Sequence, residues 1–277
     1  MGAHERKKAG EYYVLATGRA GEARLELLNT VYGPSTERLL IDVDLQPGMS
    51  AADIGCGDGD VACWLAGRVG TTGTVVGVDI SADQLAIASQ KALSQGLAQM
   101  RFVEASAYST GLARAAFDLV CCRSLLSHLQ HPEDAVGEMS ALVKPGGSLV
   151  CEDIDMTTLC TDPPTAAYAR VVEILLALGR DREADYRVGS DLAALFRAAG
   201  YPQPDVRVDQ PAFRTGESKR LWEYTFLELV PALLEAGVTT AAEVAALTPE
   251  LARIGTDDTI TVAQARKTQV WARKTGA

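Results

Sequence analysis

The sequence lacks an excess of basic residues and any long apolar run, and each absence excludes a class of protein. Its 277 residues carry 26 Lys and Arg against 36 Asp and Glu, a formal net charge of −10. Because nucleic-acid phosphates need a basic face, an acidic chain predicts no nucleic-acid partner. No apolar run reaches the roughly 20 residues that span a membrane, and no apolar signal-peptide core follows the N-terminus. We therefore expect a cytoplasmic protein with no membrane partner.

The chain also lacks paired cysteine motifs and is poor in histidine. Its six cysteines form no C-x-x-C pair, and most fall in or beside predicted buried strands, which favours reduced core thiols. His128 and His131 are three residues apart and are candidate metal ligands. His131 directly precedes Pro132 and is better explained as the start of a helix. We predict no metal site.

The order of apolar and turn-forming residues predicts an α/β domain at 46–277 after a helical lead-in at 1–45. In the lead-in, a first helix is expected to stop at Gly33 and a second to start at Pro34. From Met49 onward, short apolar strands alternate with amphipathic helices. Such alternation predicts βαβ crossovers and a doubly wound, mostly parallel sheet.

Two stretches in the second half depart from this alternation. Residues 157–188 and 213–258 are predicted to be helical inserts, the second with a kink at Pro231 and a new short helix at Thr248-Pro249. Inserts that follow the carboxyl ends of strands usually cover a site, so we interpret them as lids. The alternative is that they only extend the core.

The turn in "AADIGCGDGDVACWLA", residues 51–66, brings three glycines between a buried strand and a helix. The spacing is G-x-G-x-G, not the G-x-G-x-x-G of dinucleotide sites. Asp53, Asp58 and Asp60 surround these glycines and would repel a pyrophosphate at the helix N-terminus. A ligand without phosphate and with cationic groups, such as S-adenosylmethionine (SAM), is favoured instead.

A further acid supports an adenosine ligand. Asp79 ends the next strand, 20 residues after Gly59. A carboxylate there can accept hydrogen bonds from both ribose hydroxyls. NAD would fit this acid equally well, so Asp79 alone does not select SAM. A helix N-cap is the other role considered for Asp79, but Ser81 suits that role better.

Three segments together resemble the class I SAM-dependent methyltransferases: "DIGCGDG", "VVGVDIS" and "LVKPGGSLV". The resemblance covers roughly residues 45–155, and the segments "YYVLATGRAGEARLELL" and "VWARK" are similar to a bacterial small-molecule subgroup. It implies a seven-stranded sheet whose last strand, "KTQVWARK", is antiparallel. It also implies SAM as the cofactor.

Carried over by position, the resemblance implies specific cofactor contacts. The methionine part of SAM would contact Asp53, Gly55 and Gly57, and also Cys56 between the two glycines. The backbone of Arg123 would lie beside the same part of SAM. Asp79 would hold the ribose and Ile80 would pack on adenine. The family commonly has an acid for the adenine amino group, but this chain has "EASA" at 104–107, with Ser106 in the place of the acid and Ala107 beside it. An uncharged hydroxyl weakens that contact by about 1 kcal/mol.

Methyl transfer is an in-line displacement, so the enzyme mainly orients the reactants, and a base is needed only if the acceptor loses a proton. His128, after the fourth strand, is the candidate base, and a hydrogen bond to backbone is its alternative role. The residues predicted to bind the methyl acceptor lie at a strand end, in the lead-in or in the inserts: Tyr13, Asp153, Tyr168, Tyr186 and Trp222. The aromatic ones could equally belong to the core.

These features predict a methyltransferase that acts on a small molecule, in a tailoring step of bacterial natural-product biosynthesis. The main alternative is a SAM-binding protein of the same fold that catalyses a different reaction, such as a cyclisation. An NAD-dependent oxidoreductase fits the sheet but not the glycine spacing. The oligomeric state is left open between monomer and homodimer.

Overall fold

The structure, a computed structural model, describes residues 19–275 of the chain. Eight α-helices lie in this part of the chain: α1 Arg19–Asp42, α2 Asp60–Val69, α3 Ala82–Ser94, α4 Pro132–Leu142, α5 Ala166–Asp181, α6 Leu192–Ala198, α7 Leu221–Glu235 and α8 Ala241–Thr256. Ten strands accompany them: β1 Ser50–Ile54, β2 Thr74–Asp79, β3 Met100–Glu104, β4 Phe117–Arg123, β5 Val143–Asp155, β6 Cys160–Asp162, β7 Asp205–Asp209, β8 Ala212–Phe213, β9 Thr261–Ala263 and β10 Arg266–Arg273.

Seven of these strands form the main sheet in the order β3-β2-β1-β4-β5-β10-β7. The strands from β3 to β5 pair in parallel, and β10 runs antiparallel to both β5 and β7. The predicted seven-stranded, doubly wound sheet with an antiparallel last strand is therefore confirmed. Because β10 is reversed, its first residues lie at the edge where the parallel strands end.

Apolar side chains from both faces of the sheet form two core layers. On one face, strand residues such as Val120 and Leu149 pack against Met139 of α4 and Phe196 of α6. On the other face, strand residues pack against α2 and against the second half of α1 through Leu39. Five of the six cysteines are buried in this region and all six are free thiols, as the sequence predicted.

The lead-in is one helix in the described residues, so the predicted break at Gly33 and restart at Pro34 are wrong. α1 continues through both residues to Asp42. Its side chains are buried on either side of the junction, with Tyr32 at 0% and Leu39 at 0% exposure. Burial of both halves against other elements outweighs the hydrogen bond that Pro34 cannot donate.

The two inserts pack together into a third apolar cluster. α5, α7 and α8 contact one another around Ile174, Phe226 and Leu251. A three-stranded antiparallel sheet, in the order β6-β9-β8, joins the first insert to the segments at either end of the second insert, and the sequence did not predict it. Strands of two or three residues are too short to leave an alternation signal in the sequence.

Two proline predictions in the second insert need revision. Pro249 lies inside α8 and does not begin a new helix, because α8 starts at Ala241 with Thr240 as its N-cap. α7 continues through Pro231 to Glu235, after a 3-10 turn at Glu217–Arg220, so the helix is not interrupted at Pro231, and a kink there stays a prediction. Within residues 19–275, none of the helices combines the length and the apolar character that crossing a membrane requires.

Candidate functional site

The glycine turn between β1 and α2 leaves open space at its centre. Gly57 has φ +53°, and a Cβ built there would meet no atom within 4 Å. Gly59 has φ +83°, and its Cβ would lie 2.8 Å from the Ala88 Cβ of α3. The left-handed conformation at Gly59 also delays the start of α2 to Asp60. The turn is therefore packed tightly against α3 at Gly59 and is open at Gly57.

Asp79, at the end of β2, fixes this turn through both of its carboxylate oxygens. Its Oδ2 accepts from the Gly57 N–H at 2.8 Å and its Oδ1 accepts from the Ser81 N–H at 2.9 Å. Each oxygen has a second lone pair, so the carboxylate can still accept from a ligand hydroxyl. Burial raises the pKa of Asp79. Ile80 is half-buried beside it, and Ser81 is the N-cap of α3, as predicted.

The expectation that three aspartates face the ligand is only partly correct. Lys91 of α3 donates to Asp58 at 2.8 Å and also to Asp60. The single ammonium group therefore bridges two of the three acids near the start of α2 and offsets one of their two negative charges. No sequence signal reveals this pairing, because Lys91 lies more than one element away along the chain. Repulsion of a pyrophosphate is weaker than the sequence alone suggested.

Asp53, at the end of β1, is the acid that retains unused capacity. The residue is 2% exposed, and its Oδ1 accepts a weak hydrogen bond from Cys121 Sγ at 3.8 Å. Its Oδ2 has no hydrogen-bond partner among the described residues. Burial raises the pKa of Asp53 to about 7, and nearby Arg123 opposes that rise. A buried carboxylate oxygen without a donor is suited to a ligand that brings an ammonium or another donor.

These residues fit S-adenosylmethionine as the cofactor. The turn is open at Gly57, Asp53 offers an unfilled acceptor, and Asp79 can hold a ribose. When bound, SAM supplies an activated methyl group on its sulfonium. Cys56, inside the turn, is 7% exposed and donates its N–H to Val78 O at 2.9 Å. Its thiol is a packing group whose pKa burial raises well above the usual value.

The segment after β3 contains no acid where the adenine amino group is expected. Ser106 Oγ accepts from the Tyr108 N–H at 3.1 Å and thereby closes a short turn. Ala107 is 6% exposed and packs in the core layer near α4. The hydroxyl of Ser106 is thus used by the backbone of its own turn. Its contact with adenine remains a prediction.

Arg123, the last residue of β4, connects the sheet to α1. Its Nη1 donates to Asn29 Oδ1 at 2.8 Å. The family resemblance implied a role for the Arg123 backbone, and no sequence pattern pointed to Asn29. The two residues are 94 positions apart, so no spacing rule could have paired them. Arg123 also lies close enough to Asp53 to influence its ionisation.

His128 lies in a 3-10 turn, Leu126–His128, just after β4. Asp153 positions this turn, because its Oδ2 accepts from the Ser127 N–H at 3.1 Å. The Asp153 side chain is 0% exposed, so its observed role is to support the turn. Burial, reinforced by Arg24, lowers the pKa of His128 to about 4. The imidazole is therefore neutral at pH 7 and is a weaker base than a solvent-exposed histidine.

The aromatic residues predicted to bind an acceptor are buried. Tyr168, Tyr186 and Trp222 are 1%, 7% and 6% exposed and belong to the insert cluster. The Tyr186 ring contacts His128 edge to face, with 6.0 Å between ring centres. Tyr13 lies outside the described residues. Their use in binding an acceptor stays a prediction.

An ion pair connects α1 to the second insert near His128. Arg24 Nε contacts Glu228 Oε2 of α7 at 2.9 Å, and Arg24 is 7% exposed. Neither residue was identified from the sequence, since they are 204 positions apart. α1, α7 and the turn that carries His128 therefore converge above the strand ends.

Comparison with known proteins places this geometry among methyltransferases. Residues 52–151 match the family described as a methyltransferase domain. The methyltransferase GfsG of Streptomyces halstedii is 30% identical over 188 residues, which cover 64% of this chain and 66% of GfsG. A demethylmenaquinone methyltransferase of Bacillus cereus is 33% identical over 117 residues, 42% of this chain and 49% of that protein. The match thus spans 66% of the length of GfsG and 49% of the length of the demethylmenaquinone methyltransferase.

Solved structures support the fold. The BH2331 protein of Bacillus halodurans C-125 superimposes with a TM-score of 0.61 and 18% identity, covering 87% of this chain and all of that one. The [4+2]-cyclase SpnF superimposes with a TM-score of 0.54 and 19% identity, covering 95% of this chain and 98% of that one. At these identities the likeness concerns the fold alone.

Proposed function

We propose that this chain, which belongs to the class I SAM-dependent methyltransferases, transfers the methyl group of SAM to a small-molecule acceptor. The observation that carries the proposal is the pairing of Asp79 with Gly57 beside the unfilled oxygen of Asp53. That arrangement holds an open turn next to two acids, while Lys91 near the start of α2 is already paired with Asp58 and Asp60. It suits a ligand with a ribose and cationic groups better than it suits NAD.

The residues of the chain would act by orientation and by exclusion of water. Asp79 holds the glycine turn in place and accepts from ribose, and Asp53 accepts from the methionine end of the cofactor. α1 and the inserts close the strand ends from above through Arg24 and Glu228, so a bound acceptor would be shielded from solvent. Asp153 holds the turn of His128, and the imidazole, which burial makes less basic than a free histidine, is the group we propose as proton acceptor where the methyl acceptor must lose a proton.

The setting we propose is a tailoring step in bacterial natural-product biosynthesis, in the cytoplasm. Two features support a small acceptor: the net charge of −10 and the aromatic residues of the inserts near His128. The similarity to GfsG and to a demethylmenaquinone methyltransferase, both named as methyltransferases, is consistent with this class of substrate. We keep both a monomer and a homodimer as outcomes for the assembly, and we propose no nucleic-acid partner.

A cyclisation that uses the same fold remains the second candidate function. Ser106 favours it, because its hydroxyl replaces a charged adenine contact and is already used by the Tyr108 N–H. The fold-level likeness to SpnF is compatible with this candidate but cannot choose between the two reactions.

Binding calorimetry with SAM, S-adenosylhomocysteine and NADH tests the cofactor. We expect SAM and S-adenosylhomocysteine to bind and NADH not to bind. Incubation with SAM and a panel of small phenols, amines and carboxylic acids, followed by mass spectrometry, then tests methyl transfer. Mass gain of one methyl group on an acceptor supports the proposal. Binding of NADH instead of SAM would refute it.

A further inference from the structure

Lys267, the second residue of β10, is a fully buried lysine whose ammonium group has no carboxylate in direct contact among the residues described. Its side chain is 0% exposed, and its Nζ donates to Ser124 Oγ at 2.8 Å. Nζ also lies 4.6 Å from the centre of the Tyr32 ring, a cation–π contact. Across residues 19–275, no carboxylate is within salt-bridge distance of this ammonium group; Glu152, Asp153 and Asp209 act on it only from farther away.

The position of Lys267 in the sheet brings its ammonium group to the edge where the site lies. Since β10 is antiparallel, Lys267 pairs with Ile154 near the end of β5. Its partner Ser124 directly follows β4, has φ +54°, and donates its N–H to Glu152 O at 2.9 Å. β4 pairs with β1, which leads into the glycine turn. The ammonium group therefore lies at the edge of the sheet where β4 and β5 end.

The two nearest acids on β5 are already engaged by other donors. Glu152 accepts from Thr36 Oγ1 and, at 2.8 Å, from Gln269 Nε2. Asp153 accepts from the N–H groups of Ser127 and Ile154. These acids stabilise the frame of the site and do not pair with Lys267. The ammonium group, which has three N–H donors, keeps capacity for a further acceptor.

A second donor lies on the other side of Tyr32. Trp222 Nε1, on α7, is buried and has no hydrogen-bond partner in the described part of the chain. It lies close enough to the Tyr32 hydroxyl to influence the pKa of that group, but outside hydrogen-bond geometry. The Tyr32 hydroxyl itself donates to Ala265 O at 2.7 Å. Two donors with unused capacity thus flank one aromatic ring where α1, α7 and the sheet edge meet.

We propose that Lys267 Nζ and Trp222 Nε1 form an oxygen-binding subsite that holds a phenolate or enolate oxygen of the methyl acceptor. This subsite deepens the proposed function and rests on it. A delocalised anion is favoured because Lys267 supplies an ammonium group and the flat Tyr32 ring beside it offers a surface for an unsaturated ligand. The subsite would keep the acceptor oxygen ionised and oriented.

Stability alone does not account for Lys267. Burying an ammonium group without a close counter-ion is costly, and an apolar side chain of similar length usually stabilises such a position. Lys219 provides the contrast within the same chain. It is also 0% exposed, but its Nζ donates to Asp257 O just past the end of α8, which gives it a capping role.

The test uses 4-nitrophenol, whose phenolate absorbs visible light, with the protein saturated by S-adenosylhomocysteine. We expect wild type to bind the phenolate form. At a pH below the pKa of free 4-nitrophenol, adding the protein should therefore increase the absorbance of the phenolate. Lys267→Met should weaken this binding by about 10- to 100-fold while leaving S-adenosylhomocysteine affinity unchanged and the melting temperature equal or higher. Lys219→Met is the matched control and should bind the phenolate like wild type.

The outcomes separate this subsite from the cofactor assignment. If S-adenosylhomocysteine does not bind wild type, the proposed function fails. If it binds and nitrophenolate does not, or if Lys267→Met and Lys219→Met bind nitrophenolate equally, the subsite is refuted. Should Lys267→Met not fold, Trp222→Phe removes the Nε1 donor together with part of the buried ring and should weaken nitrophenolate binding about 3- to 10-fold while leaving S-adenosylhomocysteine affinity unchanged. An unchanged affinity in Trp222→Phe would then refute the subsite.

Discussion

The buried state of His128 makes protein stability depend on pH in a way that one substitution can isolate. The pKa of this histidine falls from 6.5 to about 4 in the folded protein, with burial as the main cause and Arg24 as the second. Between these two values the unfolded chain binds the proton and the folded protein does not. Stability is therefore highest above pH 6.5 and decreases as the pH falls toward 4.

The size of the effect follows from the two pKa values. Between about pH 7.5 and about pH 4.5, this one group should reduce the free energy of unfolding by about 2 to 3 kcal/mol. His128→Asn removes the titration, so the variant should lose that much less stability than wild type over the same range. Effects of the many carboxylates are common to both proteins and cancel in the difference.

Urea unfolding at the two pH values, followed by circular dichroism, measures the difference. His131→Asn is the control, because the His131 side chain is 61% exposed and its removal should leave the pH dependence of wild type. Parallel pH dependence in wild type and His128→Asn would show that His128 titrates normally and is not buried as described.

The same variant tests the role of His128 in catalysis once an acceptor is identified. If His128 is the base, His128→Asn should lower turnover by about 10²- to 10⁴-fold with SAM affinity nearly unchanged. The wild-type rate should then stay high until the pH falls toward about 4. A loss of SAM affinity without a loss of turnover would instead assign His128 a structural role.

Three further substitutions test the cofactor site. Asp79→Ala should weaken SAM binding by about 30- to 150-fold in calorimetry. Asp83→Ala, at an exposed position, is the control and should bind SAM like wild type. If Asp79→Ala binds SAM as tightly as wild type, the ribose assignment is wrong. Ser106→Asp should keep or tighten SAM binding, and a large loss would mean that the turn after β3 is built differently from the family pattern. Lys91→Met should lower the free energy of unfolding by about 1 to 2 kcal/mol in urea unfolding, because Asp58 and Asp60 lose their counter-ion. The loss should be smaller in high salt. Arg253→Met, which removes only exposed ion pairs, is the control and should change the stability little.

Local sequence patterns determined the strand and helix alternation, the glycine turn and the acids at strand ends. Each of these depends on residues within one or two elements: Gly57 and Gly59 need left-handed backbone, and Asp79 follows its strand directly. The family resemblance added the antiparallel last strand, which the pairing of β10 with β5 confirms. Local signals failed at Gly33-Pro34, where tertiary burial keeps α1 helical through a sequence that would end an isolated helix.

Only the tertiary structure decided which charges meet. Lys91 bridges two acids near the glycine turn, Arg24 pairs with Glu228, and Lys267 reaches Ser124 across 143 positions of sequence. Such partners are brought together by the crossovers of the sheet and by the packing of the inserts on α1, and neither periodicity nor spacing encodes them. The physical reason is that the free energy of a charged side chain depends on how far it is buried and on which groups surround it. A lysine in the sequence is a solvated cation until the fold removes its water and selects its neighbours.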